Sequence, residues 1–193
     1  MATRRRIPVF AAGALAGILV TALLGSARTD ARTAADALDT GGFEFSFART
    51  VPGSPGDTWN ALTGDVSGWW DHSFSGNPYR LYIEPRPGGG FYEIFDASGD
   101  GIRHAVVTAA ERGLLLRFEG PLGLAGHAVQ MVATFELSEV GLEGTSTNVR
   151  VTVRAAGEMH EGWPETVEQV WHHFIDEQFV RFMEAGGKAG VEG

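Results

Sequence analysis

Two segments in the second half of the chain alternate with a period of two, and the segment after them repeats with the period of an α-helix. Val129, Met131, Ala133, Phe135 and Leu137 share one face of the first segment. Val149, Val151, Val153 and Ala155 share one face of the second, while Asn148, Arg150, Thr152 and Arg154 point the other way. Such alternation marks antiparallel strands with one face buried and one in water. Pro164 then opens a segment that runs to about Ala185 and stops at Gly186-Gly187. Val167, Val170, Trp171, Phe174, Ile175, Phe179 and Phe182 fall at helical spacings there and form a wide apolar face. A one-sided sheet must cover its apolar face, and this helix is the only segment long enough to do it. The expectation is an α+β domain with one curved antiparallel sheet wrapped around a long C-terminal helix.

The rest of the domain reads the same way. Phe43, Phe45 and Phe47 alternate with Glu44, Ser46 and Ala48, the pattern of a half-buried first strand. Ser54 then stands as a helix cap, with Pro55 at the first helical position and Asp57 three residues after the cap. That short helix turns Trp59 and Leu62 inward and ends at Gly64, and a second short helical turn carries Val66, Trp69 and Trp70. Further strands are expected over 79–84, 90–95, 103–110, 114–119, 128–137 and 145–155, separated by turn residues. The total is about seven strands, with two short helices after the first.

The N-terminus has a different character. Arg4-Arg5-Arg6 precede an unbroken run of apolar residues, glycine and one threonine that Val9 opens and Leu24 closes, followed by Gly25-Ser26-Ala27. This is the order of a charged, an apolar and a small-residue region in an export signal. The run of 16 residues is long for such a signal and short for a membrane span of about 20. Residues 1–27 are therefore read as a cleaved signal peptide or a retained anchor, a possible membrane tether. Both readings place the remainder outside the cytoplasm, in the periplasm or beyond. Residues 28–41 carry Leu38 as their one large apolar side chain and read as linker. The folded domain is expected over 42–186, with 187–193 as a tail.

Charge and cysteine narrow the function classes. The 193-residue chain has a net charge of −9. Taking the three N-terminal arginines from its 15 basic side chains leaves 12 against 24 acidic ones, a net of −12 for a chain starting at Arg28. An acidic domain repels phosphate backbones, so nucleic acid is not an expected partner. The absence of cysteine excludes disulfides, thiolate-bound zinc, a catalytic thiol and lipid attachment through cysteine. Gly88-Gly89-Gly90 has no lysine and no following helix, so it reads as a hairpin turn rather than a phosphate loop.

The segment from Phe43 to Phe95, with Trp59, the Trp69-Trp70 pair and Pro87-Gly88-Gly89-Gly90-Phe91-Tyr92-Glu93, resembles the START-like (SRPBCC, or helix-grip) superfamily. Leu114-Leu115-Leu116-Arg117-Phe118-Glu119-Gly120-Pro121-Leu122-Gly123, Gly144-Thr145 and Gly162-Trp163 are similar to motifs of the branch related to activators of the heat-shock chaperone ATPase. The resemblance covers about residues 43–185. It implies a helix-grip fold and a cavity for a small apolar molecule such as a lipid, sterol or polyketide. The superfamily has no universal catalytic residue, so none is carried over, and an export signal departs from a cytosolic chaperone partnership.

Trp69, Trp70, Phe74, Met131, Trp171 and Phe174 are the candidate apolar lining of such a cavity. Arg80, Glu93, His104 and Glu119 are the candidate polar groups that would orient a ligand. His72 and His127 are further histidines placed to approach it. No metal-ligand spacing connects them, so neither metal nor cofactor is expected, and His172 and His173 read as a solvated helix face. The leading expectation is an exported carrier or sensor without catalysis. An enzyme of the polyketide-cyclase or hydrolase type would need a histidine and a carboxylate to converge in the cavity, and a protein-interaction module would need an exposed apolar groove.

Overall fold

The computed structural model describes residues 37–141 and 144–187. The proposed signal, most of the proposed linker and the last six residues lie outside that range. Among the described residues, eight antiparallel strands form one sheet: β1 (Thr40–Pro52), β2 (Gly64–Asp65), β3 (Arg80–Ile83), β4 (Gly90–Ile94), β5 (Gly101–Glu111), β6 (Leu115–Gly120), β7 (Val129–Val140) and β8 (Ser146–Glu158). Their spatial order is β1-β8-β7-β6-β5-β4-β3-β2. The seven expected strands are present within a few residues. The eighth, β2, is a two-residue pairing of Gly64 with Ile83 and Asp65 with Tyr82, too short to carry any periodicity. The first strand begins at Thr40, opposite Glu158, so ordered pairing reaches two residues into the segment read as linker.

Helix α1 (Pro55–Leu62) starts as its residues dictate. The Ser54 hydroxyl accepts the Asp57 N–H, and the Asp57 carboxylate accepts the Ser54 N–H, a reciprocal capping box. Trp59 and Leu62 are buried from it. The expected second helix is a single turn, with the Trp69 and Trp70 N–H groups both donating to the Val66 carbonyl. The Trp69 ring N–H donates to the Ala61 carbonyl at 2.9 Å, tying that turn to α1.

The C-terminal helix begins as α2 (Trp163–His172), widens into a π-helical segment (His173–Phe179) and ends as α3 (Val180–Glu184). The widening explains one difference from the sequence reading. Trp171, Ile175, Phe179 and Met183 are all buried, each four residues beyond the last. In a uniform α-helix three such steps would rotate Met183 about 120° away from Trp171. The π segment, marked by the Val180 N–H reaching the Ile175 carbonyl, absorbs that drift. Met183 therefore faces the core, and Phe182, expected there, is only half buried.

The core lies between the helix and the concave face of the sheet. Phe91, Phe118 and Phe135 stand side by side on β4, β6 and β7, with ring centroids 6.1 and 5.8 Å apart. Trp171 meets this row at Phe135, 6.0 Å away, and Trp70 meets it at Phe91, 4.8 Å away. Burial of one such aromatic side chain stabilises the fold by about 1.5–3 kcal/mol.

Two irregularities bend the sheet. Phe91 faces Ala105 but Tyr92 faces Arg103, which leaves His104 as an extra, unpaired residue of β5. Val107 faces Phe118 but Ala109 faces Arg117, which leaves Thr108 in the same state. Each bulge tightens the local twist and re-aims a side chain.

Candidate functional site: an aromatic cavity with a buried carboxylate–histidine pair

A cavity of about 510 Å³ opens between the helix and the sheet, within the range of small-molecule sites. Trp70, Phe91, Met131, Trp171 and Phe174 form its apolar walls. One side is closed by residues 122–125, and another by Thr166, Val167 and Val170 of α2. Trp70 stacks on Phe174 at 4.2 Å and meets Trp171 edge-on at 6.0 Å, so the wall is braced by its own rings. Leu122 is buried in the wall with φ at +50°, a left-handed conformation that side chains other than glycine seldom hold. It costs about 1–2 kcal/mol, offset by the packing that fixes the loop.

The polar groups are few. His72 and Ser73 stand in the segment that follows the tryptophan pair, and His104 lines the cavity from the β4–β5 bulge. The bulge is what brings His104 to the concave side. Ala105 and Val107 already face inward, so an unbroken strand would turn residue 104 outward. Across from it, Gly120 cannot be larger, because a Cβ there would lie 2.7 Å from the Ala105 Cα.

Glu93 organises this end of the cavity. It is fully buried. One carboxylate oxygen accepts the Ser75 N–H at 2.7 Å, and the other accepts the Phe74 N–H at 2.7 Å and meets His104 Nε2 at 3.0 Å. Burial pushes its pKa up, but the hydrogen bonds from Ser75, Phe74 and His104 outweigh that and hold the carboxyl below its ordinary value. An ionised carboxylate only accepts, so His104 Nε2 carries a proton. In the neutral ring Nδ1 is then free to accept a hydrogen bond from a ligand. The same carboxylate pins the backbone of Phe74, a residue that is 69% exposed and whose ring stacks on Phe95 at 6.0 Å.

The structure brings together Trp70, Phe74, His104, Met131, Trp171 and Phe174 around the cavity and sets Glu93 immediately behind it. Trp69 is packed on Phe179 at 4.9 Å, in the core rather than the lining. Arg80 and Glu119 lie outside the cavity. Leu81 and Ile83 face inward from β3, so Arg80 faces out and rests over the Tyr82 ring at 4.6 Å. Leu116 and Phe118 take the inward positions of β6, which turns Glu119 to the other face. The loop wall at 122–125 and Thr166, Val167 and Val170 of the helix were not among the expected lining. Nor was the contact of His173 Nε2 with Asp71 at 2.7 Å, which joins the helix to the segment bearing His72. His173 is thus part of a tertiary link and not only of a solvated face.

No family model and no curated protein matches the chain. Solved structures do. The Mll3558 protein from Rhizobium loti aligns with a TM-score of 0.54 at 19% identity, over 72% of this chain and 95% of that one. The Aha1 dimer from Colwellia psychrerythraea aligns with a TM-score of 0.51 at 19% identity, over 76% of this chain and 99% of that one. An uncharacterised protein from Rhizobium leguminosarum gives a TM-score of 0.54 at 13% identity, over 78% and 99%. At such identities the likeness shows the fold alone. The chain has a helix-grip fold, one antiparallel sheet closed over its C-terminal helix.

Proposed function

We propose that this protein is an exported carrier or sensor that binds a small, mainly apolar molecule between the sheet and the C-terminal helix. The observation that carries the reading is the cavity of about 510 Å³ walled by aromatic side chains, with the Glu93-oriented His104 among its few polar groups. Such a site suits a ligand with an apolar body and one hydrogen-bond donor for His104 Nδ1. Kinship with the chaperone-activator branch belongs to the same proposal, supported by the fold shared with the Aha1 dimer and by Gly162-Trp163 at the start of the helix. Export is supported by Arg4-Arg5-Arg6 and the apolar run after them. Among the described residues, no helix is long and apolar enough to cross a membrane. A reporter fused after Gly193 tests export: activity in the cytoplasm would refute it.

Binding is tested by titrating the purified protein with fluorescent fatty acids, sterols and aromatic polyketides and following emission from Trp70 and Trp171. Micromolar binding, about −8 kcal/mol, weakened by Trp70→Ala, is the expected result. No quenching and no bound species in native mass spectrometry would overturn the reading.

One observation favours a second reading. His104 and Glu93 place an imidazole and a carboxylate together at the cavity wall, the arrangement of a general base with its orienting group. Ligand turnover that His104→Gln abolishes without loss of binding would select an enzyme over a carrier.

A further inference from the structure

We propose that His127, Glu158 and His160 form a site for one divalent first-row transition cation, with zinc as its reference ion, at the end of the sheet where β8 leads into the C-terminal helix. The three side chains come from two stretches of chain, Glu158 and His160 from one and His127 from the other. His127 lies in the loop before β7, Glu158 ends β8, and His160 stands in the turn before Trp163. Glu158 Oε1 is 2.8 Å from His127 Nδ1 and 2.8 Å from His160 Nε2, and the three ligand atoms all lie within 4.8 Å of one another. Ligands about 2.0–2.2 Å from a tetrahedral zinc are about 3.3 Å apart. The two carboxylate–imidazole distances of 2.8 Å therefore have to open by about half an ångström for an ion to enter, and the two imidazoles, half exposed, have room to shift.

The surroundings fix the triad in the manner of a built site. The second Glu158 oxygen accepts the Ala128 N–H at 2.9 Å, and the Glu158 N–H donates to the Ala128 carbonyl at 2.8 Å. The carboxylate is thereby oriented while Oε1 is left for a cation. The Trp163 ring meets both imidazoles edge-on, at 4.9 Å from His127 and 4.6 Å from His160, and limits their rotation. Both rings are about half exposed, so their protons exchange through solvent. Each imidazole can shift its proton to the far nitrogen and present the near one to the ion. Two nitrogens and one carboxylate oxygen suit zinc and its neighbours in the first row, whereas calcium and magnesium take oxygen ligands throughout. Water completes the coordination on the open side.

A second cluster among the described residues, Asp71, His72 and His173, is less suited. There both nitrogens of His173 are engaged, by Asp71 at 2.7 Å and Glu177 at 3.1 Å, and Gln178 donates to Asp71 at 3.0 Å. An ion at that point would have to break several tertiary contacts.

The test uses the untagged protein, stripped with chelator and dialysed against Zn²⁺, with bound metal counted by elemental analysis. One equivalent is expected, and Co²⁺ in its place should give the visible absorption of a four- or five-coordinate ion. His160→Ala and Glu158→Ala should each weaken binding at least tenfold, and His173→Ala should leave it unchanged. Circular dichroism without metal checks that the variants fold. In the unmutated protein, Zn²⁺ should shift the ring nitrogen resonances of His127 and His160 but not those of His104. No bound zinc, or binding lost with His173→Ala and kept with His160→Ala, would overturn the proposal.

Discussion

His173 Nε2 lies 2.7 Å from a carboxylate oxygen of Asp71, 102 residues earlier in the chain. This contact fastens the π-helical segment to the segment carrying His72, which lines the cavity. The hydrogen bond that His173 donates to Asp71 is the main cause that raises the His173 pKa above its ordinary 6.5, against the opposing effect of burial. A raised folded-state pKa stabilises the fold fully below the unfolded value of about 6.5, and that contribution is lost as pH rises through the folded value. The melting-temperature difference between the unmutated protein and His173→Gln should therefore be larger at pH 5.5 than at pH 9. A difference that does not change with pH would count against this contact.

Glu93 has the opposite linkage. Its folded-state pKa is depressed, so its contribution is present above the unfolded value of about 4.3 and is lost as pH falls through the folded one. Glu93→Ala should destabilise by about 1–3 kcal/mol, because it removes a buried acceptor from His104 and from two backbone donors. Hydrogen exchange at the Phe74 and Ser75 amides should accelerate beyond the global change. Protection retained at both amides would mean that Glu93 does not hold this segment.

Trp171→Ala should cost about 3–5 kcal/mol in denaturant unfolding. The side chain is buried and packs against Phe135, Trp70 and Phe174. A smaller loss would mean that the ring mainly borders the cavity and that solvent replaces it there.

Gly120→Ala, a change of one methyl group, should destabilise by about 1–3 kcal/mol, since the new Cβ would meet β5 backbone beside the bulge. It should also weaken binding of any ligand that contacts His104. A fully stable variant with unchanged probe affinity would show that β5 and β6 part there without consequence.

The legible parts of the sequence were those with sustained periodicity. β7, β8 and the C-terminal helix follow their apolar alternation, and the Ser54-Pro55-Asp57 cap starts α1 where expected. One residue that changes the phase is not legible in this way. The bulge that turns the expected cavity residue His104 inward carries no periodic signal, and the π segment replaces Phe182 by Met183. Arg80 and Glu119 were counted as orienting groups because a charge in a strand does not reveal its face. Their neighbours Leu81, Ile83, Leu116 and Phe118 decide it. Glu158 and His160 are only two residues apart in extended chain, and their third partner, His127, stands 31 residues before Glu158, ahead of the neighbouring strand β7, a spacing that no local motif marks.

The pairing of β1 with β8 runs through every position from Thr40 opposite Glu158 to Pro52 opposite Ser146. Among the described residues, the first strand therefore has its sole sheet neighbour in the last one made. A nascent chain emerging from the ribosome can form the β3–β4 and β5–β6 hairpins at once, yet Phe43, Phe45 and Phe47 find no sheet partner until roughly a hundred further residues have been made. High contact order of this kind slows folding into the millisecond-to-second range. It also gives any factor that holds unfolded chains time to act before the sheet closes.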